Sequence, residues 1–220
     1  VMAVGPLNRP KLPGTPGIAS FKGHSFHTMR WDYDYTGGDW KNPVLDKLAG
    51  KRVGIIGTGA TAIQCVPFLG KYAQHLTVFQ RTPSYIDYRG NMPTYPDWAK
   101  KLKPGWQTER MNNFHTGINA IYARDDVDLI CDGWSELNRN VQARREELGW
   151  PELGFEELMA LREAEDHRAM ERIRKRVDDT VKYPHKAEIL KPWYRFLCKR
   201  PCFNDEYLDA FNRENVDIVD

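Results

Sequence analysis

The sequence has few of the features that mark secreted, membrane-spanning or nucleic-acid-binding proteins. It has four cysteines in 220 residues, too few for a disulfide scaffold, and no signal peptide, so we expect a reducing compartment, the cytoplasm. Its apolar runs are far shorter than the roughly 18 residues of a membrane helix, so we expect no membrane partner. Lys and Arg total 32 against 30 Asp and Glu, and this balance gives no general field for nucleic acid.

The remaining composition is that of a folded protein. Hydrophobic residues make up 41% of the chain, with 17 glycines and 14 prolines, which excludes a disordered or low-complexity chain. The first residues are of β type and run into Gly5-Pro6, and the last, Asn215 to Asp220, alternate as in a strand. Since strands need neighbours, we expect the sequence to be an interior part of a longer polypeptide.

Composition divides the chain into two parts. Residues 1–50 are rich in Pro, Gly and aromatic residues and lack periodicity, which predicts an interdomain linker. Residues 51–220 have the patterns of a folded domain, with a polar helical insertion from about 98 to 190. We interpret the many charges of its strongest helical stretch, residues 155–181, including Arg172, Arg174, Lys175 and Arg176, as a solvated face rather than a binding patch.

The clearest unit covers residues 51–81. Residues 52–56 are predicted to form a buried strand, and residues 76–80 a second strand. Residues 60–72 have helical apolar spacing, and Pro67 inside this helix is expected to kink it. A βαβ unit of about thirty residues predicts a parallel sheet. We therefore expect an α/β protein with a Rossmann-like dinucleotide-binding domain.

A glycine-rich turn joins the first strand to the helix, with the pattern Gly57-x-Gly59-x-x-Ala62. The first glycine permits a tight turn, the second lets the backbone touch a pyrophosphate, and the alanine lets helix and strand pack closely. The N–H groups of Ala60, Thr61 and Ala62 favour phosphate oxygens. A glycine-rich turn without a ligand is the alternative, but the strand–turn–helix–strand context favours a nucleotide.

The end of the second strand indicates which nucleotide binds. An NAD site carries Asp or Glu near this point, whereas here the strand ends Gln80-Arg81-Thr82. A guanidinium matches the 2′-phosphate of NADP(H) through charge-assisted hydrogen bonds, and a carboxylate would repel it. Arg81 could instead pair with an aspartate on a neighbouring loop, but its position favours NADP(H).

Upstream of this unit, one stretch resembles the fingerprint of the Baeyer–Villiger monooxygenases. The fingerprint reads Phe-x-Gly-x-x-x-His-x-x-x-Trp followed by Pro or Asp, and it is matched by Phe21, Gly23, His27, Trp31 and Asp32. Related flavin-containing and N-hydroxylating monooxygenases have a similar beginning but lack the Trp-Asp ending. We expect these residues to fix domain orientation rather than to take part in chemistry.

The resemblance implies an activity. Enzymes of this family use NADPH to reduce FAD, react with O₂ and insert one oxygen atom into a ketone, giving an ester or lactone. The FAD domain is absent from this sequence, so we expect that domain of the same polypeptide, a ketone and O₂ as partners, and an inactive isolated chain.

The resemblance also implies a set of site residues. Arg200 would be the catalytic arginine, and Arg81 with Lys199 would hold the 2′-phosphate. A guanidinium that keeps its proton is suited to stabilising oxyanions. The other predicted cofactor-binding residues are Gly57, Thr58, Gly59, Ala60, Thr61, Ala62, Gln64 and Thr82.

Other interpretations have less support. His24 and His27 are three residues apart, but no cysteine or acidic cluster lies at ligand spacing, so no metal site is predicted. A simple NADP-dependent dehydrogenase would need a Tyr-x-x-x-Lys pair or a catalytic histidine after the nucleotide fold, and Tyr207 is instead followed by Phe211. An N- or S-oxygenating flavin monooxygenase and a non-catalytic NADP-binding module stay open as alternatives.

Overall fold

The structure, a computed structural model, describes residues 9–119 and 121–220. The β-type residues at the start of the sequence therefore lie outside the described part. From residue 9 to residue 50 the described chain has short helical segments and no strand. These segments are the 3-10 helices Ile18–Ser20, Thr28–Arg30 and Asp46–Leu48 and the α-helix α1, Tyr33–Thr36. The role of this region as an interdomain linker stays a prediction.

A parallel sheet forms the centre of the fold. Strand β1 (Arg52–Ile56) pairs with β2 (His75–Phe79), and β2 pairs with the last strand, β5 (Val216–Val219), all in parallel. Helix α2 (Ala60–Tyr72) connects β1 to β2. The order β1-β2-β5 is that of one half of a doubly wound nucleotide-binding fold. The predicted α/β class and parallel sheet are confirmed.

One face of this sheet packs against α2. Ile55, Val78 and Val216 point to that face and are 6%, 0% and 0% exposed. Helix and sheet approach closely at Gly70, where a Cβ atom would lie 2.8 Å from a methyl carbon of Val216. The predicted helix is present from Ala60 to Tyr72 and includes Pro67. This packing fixes the start of α2 at the carboxyl ends of the strands.

The opposite face of the sheet carries an exposed apolar row. Ile56, Phe79 and Val219 lie in register across the three strands and are 73%, 44% and 48% exposed. Parallel sheets are normally covered on both faces. The row is therefore a candidate contact surface for another part of the protein.

Helices dominate the region between β2 and β5, together with a second, two-stranded parallel sheet. Its strands are β3 (Ile86–Asp87) and β4 (Cys202–Phe203). The helices are α3 Pro96–Lys100, α4 Trp106–Asn119, α5 Glu136–Glu147, α6 Phe155–Thr180, α7 Pro184–Leu190 and α8 Tyr207–Ala210. In the described part of the chain, no helix combines the length and apolar character that a bilayer-spanning segment needs.

Two arginines of α6 are buried rather than solvated. Arg174 and Arg176 are each 6% exposed, and Arg174 donates a hydrogen bond of 2.9 Å to the carbonyl oxygen of Pro192. Arg172 is exposed but forms a bidentate pair with Asp87, at 2.9 and 2.7 Å. The solvated-face interpretation is wrong for Arg174 and Arg176, because their side of α6 packs against β3, β4 and the segment between α7 and β4, whereas Lys175 is exposed as predicted.

Asp128 holds the loop between α4 and α5 together. Its carboxylate accepts hydrogen bonds from the Ser135 hydroxyl at 2.6 Å, from Arg139 at 2.6 Å and from the backbone N–H groups of Ile130 and Cys131 at 2.9 and 3.0 Å. Burial alone would raise its pKa, but these donors outweigh burial and lower the pKa from 3.8 to about 2. The charged form therefore stabilises the folded state.

Asp128→Asn should destabilise the protein in a pH-dependent way. A carboxyl whose pKa is lower in the folded than in the unfolded state contributes stability that is complete above about pH 4 and lost as the pH falls to about 2. We expect the variant to lose about 2 kcal/mol of unfolding free energy at pH 7 and to match the parent near pH 2. Urea unfolding at a series of pH values measures this difference, and a difference that does not vary with pH would contradict the assignment.

Candidate functional site

The glycine turn lies between the carboxyl end of β1 and the start of α2. The Gly57 N–H donates to the carbonyl oxygen of Phe79 at 2.8 Å, and Gly57 has a φ of +99°, a conformation that favours glycine. At Gly59, no protein atom lies within 4 Å of the position that a Cβ would take. The N–H groups of residues 60–62 have no acceptor among the described residues. Free backbone donors below open space suit a phosphate group.

Two side-chain hydrogen bonds tie this turn to the segment that follows β2. The Thr58 hydroxyl donates to the carbonyl oxygen of Thr82 at 2.9 Å, and the Ser84 hydroxyl donates to the carbonyl oxygen of Thr58. Thr58 is 6% exposed. Because its hydroxyl is used inside the protein, the part of Thr58 that can serve the predicted cofactor site is its backbone.

The other residues predicted at the turn divide into packing and surface positions. Ala62 is 6% exposed and lies against the sheet, in agreement with close helix–strand packing. Thr61 and Gln64 are exposed, and the Gln64 amide donates to the carbonyl oxygen of Ala60 at 2.8 Å. Gln64 therefore lies one turn along α2 from the free N–H groups.

Arg81 extends from the end of β2 beside the turn. The preceding residue, Gln80, is buried, and its amide donates to the carbonyl oxygen of Ile189 at 2.8 Å, which anchors the chain at this point. Arg81 itself is exposed, and its guanidinium has no hydrogen bond or ion pair with any described residue. The alternative in which Arg81 pairs with a neighbouring aspartate is therefore not found in the described part.

The pairing of β3 with β4 places Lys199 and Arg200 next to the segment that follows Arg81. Ile86 is opposite Cys202 in this parallel pair, and the Cys202 N–H donates to the carbonyl oxygen of Tyr85 at 3.0 Å. Lys199 and Arg200 are both exposed, and neither has a carboxylate partner among the described residues. They precede β4 at the same end of the small sheet at which the segment from Arg81 enters β3.

Tyr194 links two segments that carry predicted site residues, one with Arg81 and the other with Lys199 and Arg200. The sequence did not reveal this contact. The Tyr194 hydroxyl accepts the backbone N–H of Tyr85 at 2.7 Å, and the Lys199 ammonium lies 5.8 Å from the centre of the Tyr194 ring. Burial raises the pKa of Tyr194 to about 12, so the hydroxyl stays protonated at neutral pH. No local pattern marks this residue, because Tyr85 and Tyr194 are 109 positions apart.

The fingerprint residues form a corner before α1, the fingerprint corner, in which Trp31 packs against the main hydrophobic core. The Trp31 indole N–H donates to the Thr36 hydroxyl at 2.9 Å. Asp32 accepts the Tyr35 N–H at 3.0 Å and lies 2.8 Å from the His24 ring nitrogen. The Tyr35 N–H and His24 lower the pKa of Asp32. The hydrogen bonds of these residues are made within their own segment, before and within α1.

The rest of the fingerprint is also local. His27 accepts the Met29 N–H at 3.1 Å, and the Phe21 ring, in a side chain that is 65% exposed, lies over Gly23. In the described part, no hydrogen bond or ion pair joins the fingerprint to the glycine turn or to the three cationic site residues. No cluster of three His, Cys, Asp or Glu side chains suited to a metal occurs among the described residues.

Gly59→Ala tests whether the open space at the turn holds a ligand. The φ of Gly59 is −78°, which alanine adopts freely, and the added methyl group would meet no protein atom within 4 Å. We expect an unchanged melting temperature and NADPH binding weaker by about tenfold or more, because the methyl group occupies the space of the pyrophosphate. Isothermal titration calorimetry measures the affinity.

Gly14→Ala is the matched control for this substitution. Gly14 also has open space at its Cβ position and no positive φ, but it lies in the N-terminal segment. Its replacement should leave NADPH affinity unchanged. Equal affinities in the parent and both variants would show that the turn at Gly59 binds no dinucleotide.

The chain resembles proteins of known activity over its whole length. It is 51% identical to neopentalenolactone D synthase from Streptomyces avermitilis over 219 residues, 100% of this chain and 36% of that protein. It is 54% identical to Baeyer–Villiger monooxygenase ATR8 from Stachybotrys chlorohalonatus over 222 residues, 100% of this chain and 35% of that protein. The chain spans about a third of the length of these curated relatives. No model of a protein family matches it.

Solved structures agree with the sequence relatives. The polycyclic ketone monooxygenase of Thermothelomyces thermophila superposes with a TM-score of 0.80 at 44% identity, covering 96% of this chain and 34% of that chain. OTEMO in complex with FAD and NADP superposes with a TM-score of 0.66 at 32% identity, covering 99% of this chain and 41% of that chain. In sequence and in fold, the chain is therefore similar over its whole length to one part, about a third, of a Baeyer–Villiger monooxygenase.

Proposed function

We propose that the chain is the NADP(H)-binding part of a Baeyer–Villiger monooxygenase that depends on FAD and NADPH. The observation that carries this proposal is the open glycine turn with free backbone N–H groups, followed at the end of β2 by Arg81, whose guanidinium has no carboxylate partner among the described residues. Such a site suits a dinucleotide with an additional phosphate. The relative OTEMO, which was solved with FAD and NADP, supports the same cofactors.

The residues at the turn fit the dinucleotide. The space at Gly59 would take the pyrophosphate, the N–H groups of residues 60–62 would donate to its oxygens, and Arg81 with Lys199 would hold the 2′-phosphate. Bound NADPH supplies electrons to the FAD of the parent enzyme, where O₂ is activated. In this arrangement the protein contributes binding, orientation and charge.

Arg200 has a different role in this proposal. It lies next to Lys199 on the segment that enters β4, exposed and without an ion pair in the described part. A guanidinium cannot lose its proton, so it would stabilise negative charge that develops on oxygen during insertion. We propose Arg200 as the catalytic residue that this chain contributes.

We further propose that the FAD domain of the same polypeptide contacts the fingerprint corner. Apolar side chains are exposed there, with Phe21 at 65% and Trp40 at 79%. Exposed apolar surface of this kind marks interaction sites. The exposed row Ile56, Phe79 and Val219 is a second surface for the remaining sequence. The four cysteines are free thiols, which suits the cytoplasm, the compartment that we propose.

Isotope labelling tests the activity. The full-length protein is incubated with NADPH, ¹⁸O₂ and a panel of cyclic ketones, tertiary amines and thioethers, and the products are analysed by mass spectrometry. We expect one ¹⁸O atom in a lactone and one NADPH consumed for each product molecule. Labelled N- or S-oxides without any lactone would assign the protein to the N- or S-oxygenating branch, and NADPH binding without O₂ consumption would indicate a non-catalytic module.

A further inference from the structure

Arg176 of α6 is a buried cation that contacts two strands at once. It is 6% exposed, its Nη1 donates to the carbonyl oxygen of Ile86 at 2.8 Å, and its Nη2 donates to that of Asn204 at 3.0 Å. The guanidinium carbon lies 3.7 Å from the centre of the Tyr88 ring. No Asp or Glu among the described residues forms an ion pair with it. A buried charge without a carboxylate is costly, so its contacts with both strands need an explanation.

The two carbonyl groups belong to the strands that carry the proposed site. Ile86 is in β3, which continues the segment from Arg81, and Asn204 directly follows β4, which continues the segment from Lys199 and Arg200. Each strand has two residues, and backbone hydrogen bonds of 3.0 and 2.9 Å join the pair. So short a pair is not stable by itself. The Arg176 guanidinium bridges the two segments from α6, with one hydrogen bond to each.

Helix α6 anchors the flanking segments as well. Arg172 forms its bidentate pair with Asp87 at the end of β3. Asp166, two turns earlier, accepts the backbone N–H of Phe196 at 2.9 Å, just before Lys199. The two cationic segments are therefore held against one rigid helix, although no predicted cofactor-binding residue lies on that helix.

We propose that Arg176 is a positioning residue of the dinucleotide site. By bridging β3 and the end of β4, it fixes the separation between Arg81 and Lys199, so that both cations reach one 2′-phosphate. The inference deepens the proposed NADP(H) site and depends on it. In this proposal, helix α6 contributes to the selection of NADP(H) as well as to packing.

Arg176→Lys in the full-length protein tests this inference. Lysine keeps the charge, but its single ammonium cannot bridge the two carbonyl groups and stack on Tyr88 in the same geometry. The measurement is the preference for NADPH over NADH, as the ratio of the two dissociation constants from calorimetry. We expect the preference to fall about fivefold or more, while NADH affinity stays within twofold, because NADH depends on the glycine turn and not on the two cations.

Two further variants complete the test: one covers the case in which Arg176→Lys does not fold, and the other is a matched control on the same helix. Tyr88→Leu removes the stacking ring, which lies on a residue that is 63% exposed, and should lower the preference in the same direction if Arg176→Lys does not fold. Lys175→Gln is the matched control, because Lys175 is the neighbour of Arg176 on α6, pairs with Asp179 in solvent and should leave both affinities unchanged.

The outcomes separate the inference from the proposed function. If the parent protein prefers NADPH and folded Arg176→Lys and Tyr88→Leu keep that preference, the positioning role is wrong and the site stands. Equal losses for NADPH and NADH would show a general structural role and would also overturn it. If the parent protein has no preference for NADPH, the proposed 2′-phosphate site itself fails.

Discussion

Arg200→Ala should nearly abolish ester or lactone formation by the full-length protein while NADPH still reduces its flavin. Arg200 has no ion pair among the described residues, so its removal leaves no charge uncompensated there. Loss of one group that stabilises charge on a reacting oxygen lowers the rate by about 10²–10³-fold. Stopped-flow absorbance of the flavin under anaerobic conditions measures reduction, and gas chromatography of the product measures oxygenation.

Separate measurements of flavin reduction and of product formation distinguish a catalytic role of Arg200 from a role in NADPH binding. NADPH affinity should change little, because Arg81 and Lys199 are the proposed phosphate partners, and NADPH should still be consumed in the presence of O₂. Arg89→Ala is the control: Arg89 is also exposed but follows β3 at the end away from the site. Ester formation at the parental rate in Arg200→Ala would falsify the catalytic role.

The sequence predicted the part of the fold whose signals are local. Residues 52–79 contain a short apolar strand, a glycine turn, an amphipathic helix and a second strand in immediate succession, and these local patterns can be read over a few residues. The first strand is less buried than predicted, since only Ile55 in it is buried. The structure has β1, α2 and β2 at these positions. The cation at the end of β2 was predictable for the same reason, since Arg81 follows a recognisable strand.

The arginines of α6 show where sequence reasoning fails. Asp87, the partner of Arg172, is 85 positions away, and Ile86, a partner of Arg176, is 90 positions away. These acceptors lie in or beside strands of two residues, which are too short to show a period of two. A charged helical stretch without visible partners is usually solvated, and only the tertiary contacts reveal that Arg176 is buried and that Arg172 is paired with Asp87.

For the fingerprint, the residues could be predicted from the sequence but their contacts could not. Its residues lie close together in the sequence, from Phe21 to Asp32, and they could be listed from the pattern alone. Their hydrogen bonds within the segment were not predictable, since the partners of Trp31 and Asp32, namely Thr36 and Tyr35, are not part of the pattern. A pattern identifies which residues belong together, but the contacts decide what they hold in place.

Arg81→Ala should weaken NADPH binding by about 10–100-fold and change NADH binding by less than about threefold. The expected loss corresponds to charge-assisted hydrogen bonds worth about 1.5–3 kcal/mol. Arg81 is exposed and unpaired in the described part, so the substitution should leave the melting temperature unchanged. Fluorescence titration of the protein with each reduced dinucleotide measures the two affinities.

The pH dependence adds a second, independent signature of the same contact. A phosphate monoester has a second pKa near 6 and carries more negative charge above that pH. The preference of the parent protein for NADPH should therefore grow as the pH rises from about 5.5 to 7.5, and most of this growth should disappear in Arg81→Ala. Arg52→Ala is the control, since Arg52 is exposed at the amino end of β1, the far end of the sheet. Equal losses of NADPH and NADH affinity in Arg81→Ala, at every pH, would mean that this guanidinium does not meet the 2′-phosphate.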